Sequence, residues 1–257
     1  MSTTEEKLAC SLTADTIELI PFLPYLLQDL WELGSDPEEM TRLIRKNLTV
    51  SEDTKILDLA CGKGAVSIKI AKSLNVRVYG LDLLPDFIAY AKNKAKEMGV
   101  DSLCSFGQRD VNEAVKEEKG YDCVILGATG NILGDPKETL KKLSGTVRPG
   151  GFILIDEVYL AEGHENMDMK WAYEHMTRGQ WAHVFAELGL RLTAETMDER
   201  DYDFEAETRA IAARARELGE KYPEKRVMFE KYVQNQMDEC NDLENSLVGV
   251  TLMLQVP

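Results

Sequence analysis

No apolar run in this sequence approaches the roughly 20 residues that a bilayer-spanning helix needs, so no membrane-spanning helix is expected. The five cysteines, Cys10, Cys61, Cys104, Cys123 and Cys240, include no C-x-x-C pair. A scattered, odd-numbered set offers neither zinc spacing nor a disulfide framework, and reads as reduced, buried thiols with no metal. Histidine is scarce too, with only His164, His175 and His183. Basic residues are outnumbered, 30 Lys and Arg against 45 Asp and Glu, for a net charge of -15. Such a surface repels phosphate backbones, and no Lys/Arg cluster with interleaved aromatics offsets it, so nucleic acid is not an expected partner. The opening "MSTTEEKLACSL" carries acids where a secretion signal has basic and apolar blocks. A cytoplasmic protein is expected.

What is present is a chain of 257 residues, 44% hydrophobic and 29% charged, enough for one sizeable α/β domain with an appendage. From Lys55 onward short β-branched runs alternate with helical patterns, which predicts βαβ units and a parallel sheet. Strands are expected near 55–60, 76–81, 103–107, 121–126 and 151–157, with helices near 64–74, 85–98, 111–117 and 136–145. "TRGQWAHVFAELGL" predicts a further helix, "RLTAETM" a sixth strand, and "LVGVTLMLQV" (247–256) a seventh.

Residues 199–246 form a charged insert between the last two strands, with apolar helical faces at Ile211, Ala215, Leu218 and, after Pro223, at Phe229, Val233, Met237 and Cys240. This predicts a helical hairpin that serves as a packing or homodimer contact, with a substrate lid as the other reading. The stretch "IELIPFLPYLLQDLWELG", apolar around much of its circumference and broken by Pro21 and Pro24, predicts a kinked helix against the sheet edge or over a site. Ser35 or Asp36 caps the helix that follows it. The organisation expected is a helical cover at 1–50, a core at 51–198, the insert at 199–246 and a last core strand at 247–257.

The functional signal lies in "KILDLACGKGAVSIKIA", Lys55 to Ala71, where an apolar strand meets two glycines and then a helix. Glycines at that junction let a ligand approach the backbone. Two ligands compete, a dinucleotide pyrophosphate and an adenosyl compound ending in an amino acid. The dinucleotide fingerprint G-x-G-x-x-G fits Gly62 and Gly64 but meets Ser67 at its third position, a mild departure. Asp58 weighs more. A carboxylate beside a pyrophosphate is repelled by about 4 kcal/mol per charge pair at ~4 Å near a surface, whereas beside an ammonium or sulfonium it attracts. Asp82 ends the second strand, 18 residues after Gly64, where an acid can accept from both ribose hydroxyls. Both nucleotide classes share that device.

The run D-x-A-C-G-x-G, with Asp58, Ala60, Cys61, Gly62 and Gly64, resembles the first motif of class I S-adenosylmethionine-dependent methyltransferases. Later motifs follow in family order: Asp82 and Leu83 in "VYGLDLLP", Asp110 and Val111 in "FGQRDVNE", Gly127 and Ala128 in "YDCVILGATGN", and "RPGGFILIDE" before strand five. Together they cover about 56–158. The resemblance implies a Rossmann-like seven-stranded sheet with helices on both faces and the last strand antiparallel. It implies that the glycine loop, Gly127 and Ala128 surround the cofactor's methionine portion, that Leu83 packs on adenine, and that Asp110 and Val111 read its amino group and ring edge. Asp110 as a plain helix cap is compatible with that role.

A small-molecule acceptor is expected from the charge balance and the apolar cover and insert. The resemblance leaves catalysis without an assigned base; Tyr159 and His164, which are also candidates to contact substrate, stand after strand five with Asp156 and Glu157 as candidates for it, His164 and His175 lie on a connection that contacts substrate in many family members, and His183 reads as structural. Tyr25, Gln28 and Trp31 could close the crevice over substrate. Lys63 is expected to point to solvent. The competing functions are an NAD(P)-dependent oxidoreductase, which Asp58 opposes, and an adenosyl-binding scaffold without turnover.

Overall fold

A computed structural model describes residues 3–161, 175–198 and 204–257. Seven strands, β1 (Lys55–Leu59), β2 (Arg77–Asp82), β3 (Cys104–Gln108), β4 (Tyr121–Leu126), β5 (Val147–Leu160), β6 (Arg191–Met197) and β7 (Leu247–Gln255), make one sheet in the order β3-β2-β1-β4-β5-β7-β6. The first five are parallel to one another, and β7 runs antiparallel to both β5 and β6. Strand order reverses between β1 and β4, so a crevice opens there beyond the carboxyl ends of the strands.

The helices are α1 (Thr4–Ser11), α2 (Leu23–Leu26), α3 (Pro37–Asn47), α4 (Ala65–Leu74), α5 (Pro85–Glu97), α6 (Val111–Glu117), α7 (Pro136–Ser144), α8 (Arg178–Leu188), α9 (Phe204–Lys221) and α10 (Arg226–Asn245). Both faces of the sheet are buried, as a parallel sheet requires. Leu57, Leu59, Val124, Leu126, Ile153 and Ile155 pack on α6, α7 and α8 through Ala114, Leu140, Leu143, Trp181 and Phe185. Ile56, Val78, Ile125 and Leu154 point the other way, onto Met40, Leu43, Ile68 and Ala91 from α3, α4 and α5. The period of two along β1 therefore puts Asp58 on the face of Ile56, at the strand's exit.

A third cluster joins the N-terminal segment to the insert. Leu8, Leu19, Leu23 and Leu26 bury against Ile211, Ala215, Leu218, Phe229 and Tyr232, with Leu84 and Phe87 from the start of α5 closing the base. Phe22 stands edge-on to Phe229 at 5.1 Å and to Tyr222 at 5.4 Å. Around this core Arg214 pairs with Asp29 at 2.6 Å and Lys225 with Glu18 at 2.9 Å. Of the apolar face expected to pack or to dimerise, Ile211, Ala215, Leu218, Phe229 and Val233 pack on the N-terminal segment, whereas Met237 is exposed, and segment and insert make one cap.

Two local expectations change. The stretch predicted as a kinked helix is a 3-10 turn at Ile17–Phe22 followed by the single turn of α2, because Pro21 and Pro24 remove two amide donors within four residues. Ahead of it stands α1, opened by a capping box in which Thr3 and Glu6 bond each other's backbone amides. Asp36, not Ser35, caps α3, accepting from Glu39 N at 3.0 Å.

Candidate functional site

The chain leaves β1 through three left-handed residues, Ala60 at φ 54°, Gly62 at φ 52° and Gly64 at φ 75°. Ala60 carries a Cβ in a region that favours glycine, a local strain of the kind held at functional sites. Asp82 fastens this loop to the exit of β2. One of its oxygens accepts from Gly62 N at 2.9 Å and the other from Leu84 N at 2.8 Å. Its carboxyl is buried and lifted above the ordinary range by that burial, against the pull of the same backbone donors. Asp58 lies beneath, accepting from Ser67 Oγ at 2.5 Å. Burial pushes it up to about 7, Ser67 opposes, and the charge of Asp82 adds to the rise. Two buried acids at adjacent strand tips make a place for hydroxyl donors and for positive charge.

One crevice of about 910 Å³, its open mouth included, collects Asp58, Ala60, Cys61, Gly62, Asp82, Leu83, Asp110, Val111, Gly127 and Ala128. Gly64 stands apart from the lining. A Cβ there would meet Ala91 at 2.9 Å and Phe106 at 3.0 Å, so this glycine allows α4 to pack on the sheet. Cys61 is a half-buried thiol raised well above its ordinary range, first by burial and then by Asp58 and Asp82, which disfavours the nucleophilic thiolate.

The cap supplies the other wall. Thr4, Leu8, Ser11 and Leu12 of α1 and its end line the crevice, as do Trp31, Glu32, Leu33 and Ser35. None but Trp31 was foreseen; the T-x-x-E box at Thr3 was the available signal for α1. Thr4 Oγ1 donates to Asp110 Oδ2 at 2.8 Å, while Asp110 Oδ1 caps α6 by accepting from Asn112 N at 2.8 Å. A Cβ on Gly127 would collide with Ser35 Oγ, and one on Gly34 would sit 2.8 Å from Ala128 Cβ. The exit of β4 and the 34–35 segment therefore touch backbone to side chain.

Lys63 does not point to solvent. It is 3% exposed, and its ammonium donates to the carbonyls of Leu27 and Leu30. The rings of Phe87 and Tyr90 lie 5.8 and 5.1 Å away. Trp31 Nε1 returns a bond to Lys63 O at 3.3 Å. Burial lowers the amine to about 8, with Asp29 opposing.

The acceptor-side candidates divide. Trp31 lines the crevice, but Tyr25 and Gln28 are exposed on the cap's outside, where Tyr25 donates to Glu217 Oε2 at 2.5 Å. Tyr159 lies away from the crevice with its hydroxyl donated to Glu195 Oε1 at 2.8 Å, and burial raises its pKa further. A phenol so held is no base. His164 lies outside the described residues. Asp156 accepts from Thr251 Oγ1 at 2.6 Å, and Glu157 is pushed up to about 8 by burial and by Asp156, but neither lines the crevice. Burial lowers His175, against the charge of Asp242. His183, expected to be structural, faces solvent 3.6 Å from Glu187. Among the described residues no group of His, Cys, Asp and Glu could hold a metal ion, and no helix is long and apolar enough to cross a membrane.

Comparison with known proteins matches residues 50–208, more than half of the chain, to the methyltransferase domain family. The uncharacterised protein YjhP of Escherichia coli (strain K12) is 32% identical over 122 residues, 48% of this chain and 49% of that protein. Its X-ray structure matches with a TM-score of 0.72 at 19% identity, over 91% of this chain and 100% of that one. A SAM-dependent methyltransferase from Geobacter sulfurreducens, crystallised with S-adenosyl-L-homocysteine, matches with a TM-score of 0.77 at 21% identity, over 92% of this chain and 98% of that one. At these identities the solved structures share the fold. The chain spans about half the length of the curated relatives it matches.

Proposed function

The chain belongs to the class I S-adenosylmethionine-dependent methyltransferases, and we propose that it moves the sulfonium methyl of S-adenosylmethionine onto a small-molecule acceptor by in-line displacement. The observation that carries this is the pair of buried acids, Asp58 and Asp82, at the tips of β1 and β2 with the glycine loop pinned between them. A nicotinamide dinucleotide would bring its pyrophosphate to the glycine loop beside Asp58, which repels it, whereas Asp82 serves the ribose of either ligand.

The residues fit the cofactor. Asp82 would accept from the ribose hydroxyls with the lone pairs left beside its two amide bonds, and Asp58 would face the amino group of the methionine portion. Leu83 and Val111 would bracket adenine, with Asp110 toward its amino group. The Gly62 backbone, Gly127 and Ala128 would border the methionine side. When bound, the cofactor supplies a methyl already made electrophilic by its sulfonium. The chain's own part is to hold the acceptor in line and keep water away, which can contribute roughly 7–11 kcal/mol. Cover and insert, packed as one cap over the crevice, support water exclusion and an enclosed acceptor site. No residue is assigned as base. The net charge of -15 favours a small molecule over nucleic acid, and five cysteines outside any disulfide support a reducing, cytoplasmic setting.

The test is calorimetric titration with S-adenosylhomocysteine and with NADH, then a labelled-methyl assay across a metabolite panel. Binding of the first alone, with label transferred, is expected. NADH binding in its place overturns the reading. Cofactor binding without transfer to any acceptor supports the scaffold alternative.

A further inference from the structure

We propose that Thr13, Tyr232, Asn235 and Glu239 form a polar socket in the cap, beside the crevice, that binds the protonated amine of the methyl acceptor; this rests on the methyl-transfer reading and narrows its substrate class.

Thr13 follows the end of α1 at φ 61°. Its amide bonds Cys10 O at 3.0 Å and that of Ala14 bonds Ala9 O at 2.8 Å, the helix-ending arrangement whose left-handed position usually holds glycine. A β-branched residue is strained there. What its side chain gains is a bond from Oγ1 to Glu239 Oε2 at 2.5 Å, while its carbonyl accepts from Asn235 Nδ2 at 3.4 Å. Strain of this kind points to a site when the strained group touches something that needs it.

What it touches is unfinished. Tyr232, Asn235 and Glu239 are spaced three and then four residues along α10, on one helix face. Tyr232 is 0% exposed and Asn235 1%, yet the Tyr232 hydroxyl and Asn235 Oδ1 have no hydrogen-bond partner. Buried polar atoms are rarely left so, and a water, an ion or a bound molecule commonly completes them. The set offers a carbonyl oxygen, a carboxylate and a hydroxyl, with no Lys, Arg or His among them. It matches a donor and repels a carboxylate or phosphate, so a protonated amine fits. Asp242, one turn on along α10, adds negative charge next to Glu239. The socket stands behind the crevice wall: Ser11 and Leu12 line the crevice, and Thr13 is the next residue, about 3.8 Å on.

The experiment follows the Asn235 side-chain amide and the Tyr232 ring by NMR while ethylammonium chloride is added, with and without S-adenosylhomocysteine, against potassium chloride as control. Saturable shifts with ethylammonium alone are expected. Tyr232→Phe should weaken binding at least fivefold. Thr13→Gly should weaken it about tenfold while leaving the melting temperature unchanged or raised, since glycine relieves the left-handed strain. Shifts no larger than with potassium chloride overturn the proposal. So does a Thr13→Gly protein that melts lower and binds ethylammonium as before, which would make the cluster a structural bolt. Ethylammonium binding in a protein that does not bind S-adenosylhomocysteine supports the socket and removes the methyl-transfer reading instead.

Discussion

Lys63 stands inside the glycine loop, yet its ammonium is bonded to the backbone carbonyl of Leu30 in the cap, more than thirty residues away in sequence. Leu27 O is its second acceptor, and Trp31 bonds back to the Lys63 carbonyl. The loop and the segment that covers it are therefore held by one residue from both sides. This linkage and the two buried acids below it make the site's behaviour open to measurement.

Lys63→Met should free the cap from the loop. Amides at 23–35 are expected to exchange hydrogen at least tenfold faster, read by mass spectrometry. The same variant isolates a pH effect. Because burial holds the Lys63 amine near 8 instead of 10.5, the unfolded chain binds more protons than the folded one between those values, and stability rises with pH across that window. Below pH 8 the full cost of the buried charge is present, about 3 kcal/mol. The stability difference between wild type and variant should shift in favour of wild type by about that amount from pH 7 to pH 10.5. A constant difference in urea denaturation contradicts it.

Asp82→Ala removes the acceptor of two backbone amides and of the expected ribose bonds. Affinity for S-adenosylhomocysteine should fall by about 1.5–3 kcal/mol, or ~10- to 150-fold. Calorimetry on the folded variant reads it directly, and unchanged affinity takes Asp82 out of the site.

Asp58 gives cofactor binding a pH dependence. With its folded value raised from 3.8 to about 7, the carboxyl is largely neutral at pH 6 and ionised at pH 8. Affinity for the cofactor's ammonium should rise about tenfold over that interval. In the empty protein the sign is opposite: the folded state holds its proton longer than the unfolded one, so this group's contribution is present below pH 4 and is lost as pH rises through 7. Asp58→Asn should flatten both curves, followed by calorimetry and by thermal melting from pH 4 to 8.

Phe229 is fully buried at the join of insert and cover. Phe229→Ala should cost about 3–5 kcal/mol, and exchange at residues 17–26 should accelerate together with that of the α9–α10 hairpin. A cover that stays protected while the hairpin loosens would show that the two are not one unit.

The sheet and the cofactor wall were legible from the chain because both are written in short-range pattern. Alternating β-branched runs, glycines at a strand exit and an acid at the next strand tip depend on neighbours within a few residues, and a parallel sheet then carries all of its strand tips to one edge. Ten of the proposed cofactor residues meet in one crevice for that reason. What the linear order does not contain is which apolar face meets which. The cover's leucines are far from α9 in sequence, and nothing local says that they bury against Ile211 and Phe229 rather than a second copy. Lys63 was misjudged on the same ground, since a lysine beside glycines is usually solvated until two distant carbonyls and two rings enclose it. Local geometry was decided by steric and hydrogen-bonding preferences of adjacent residues, whereas the cap, its hold on the loop and its polar interior follow only from the desolvation of surfaces that the fold brings together.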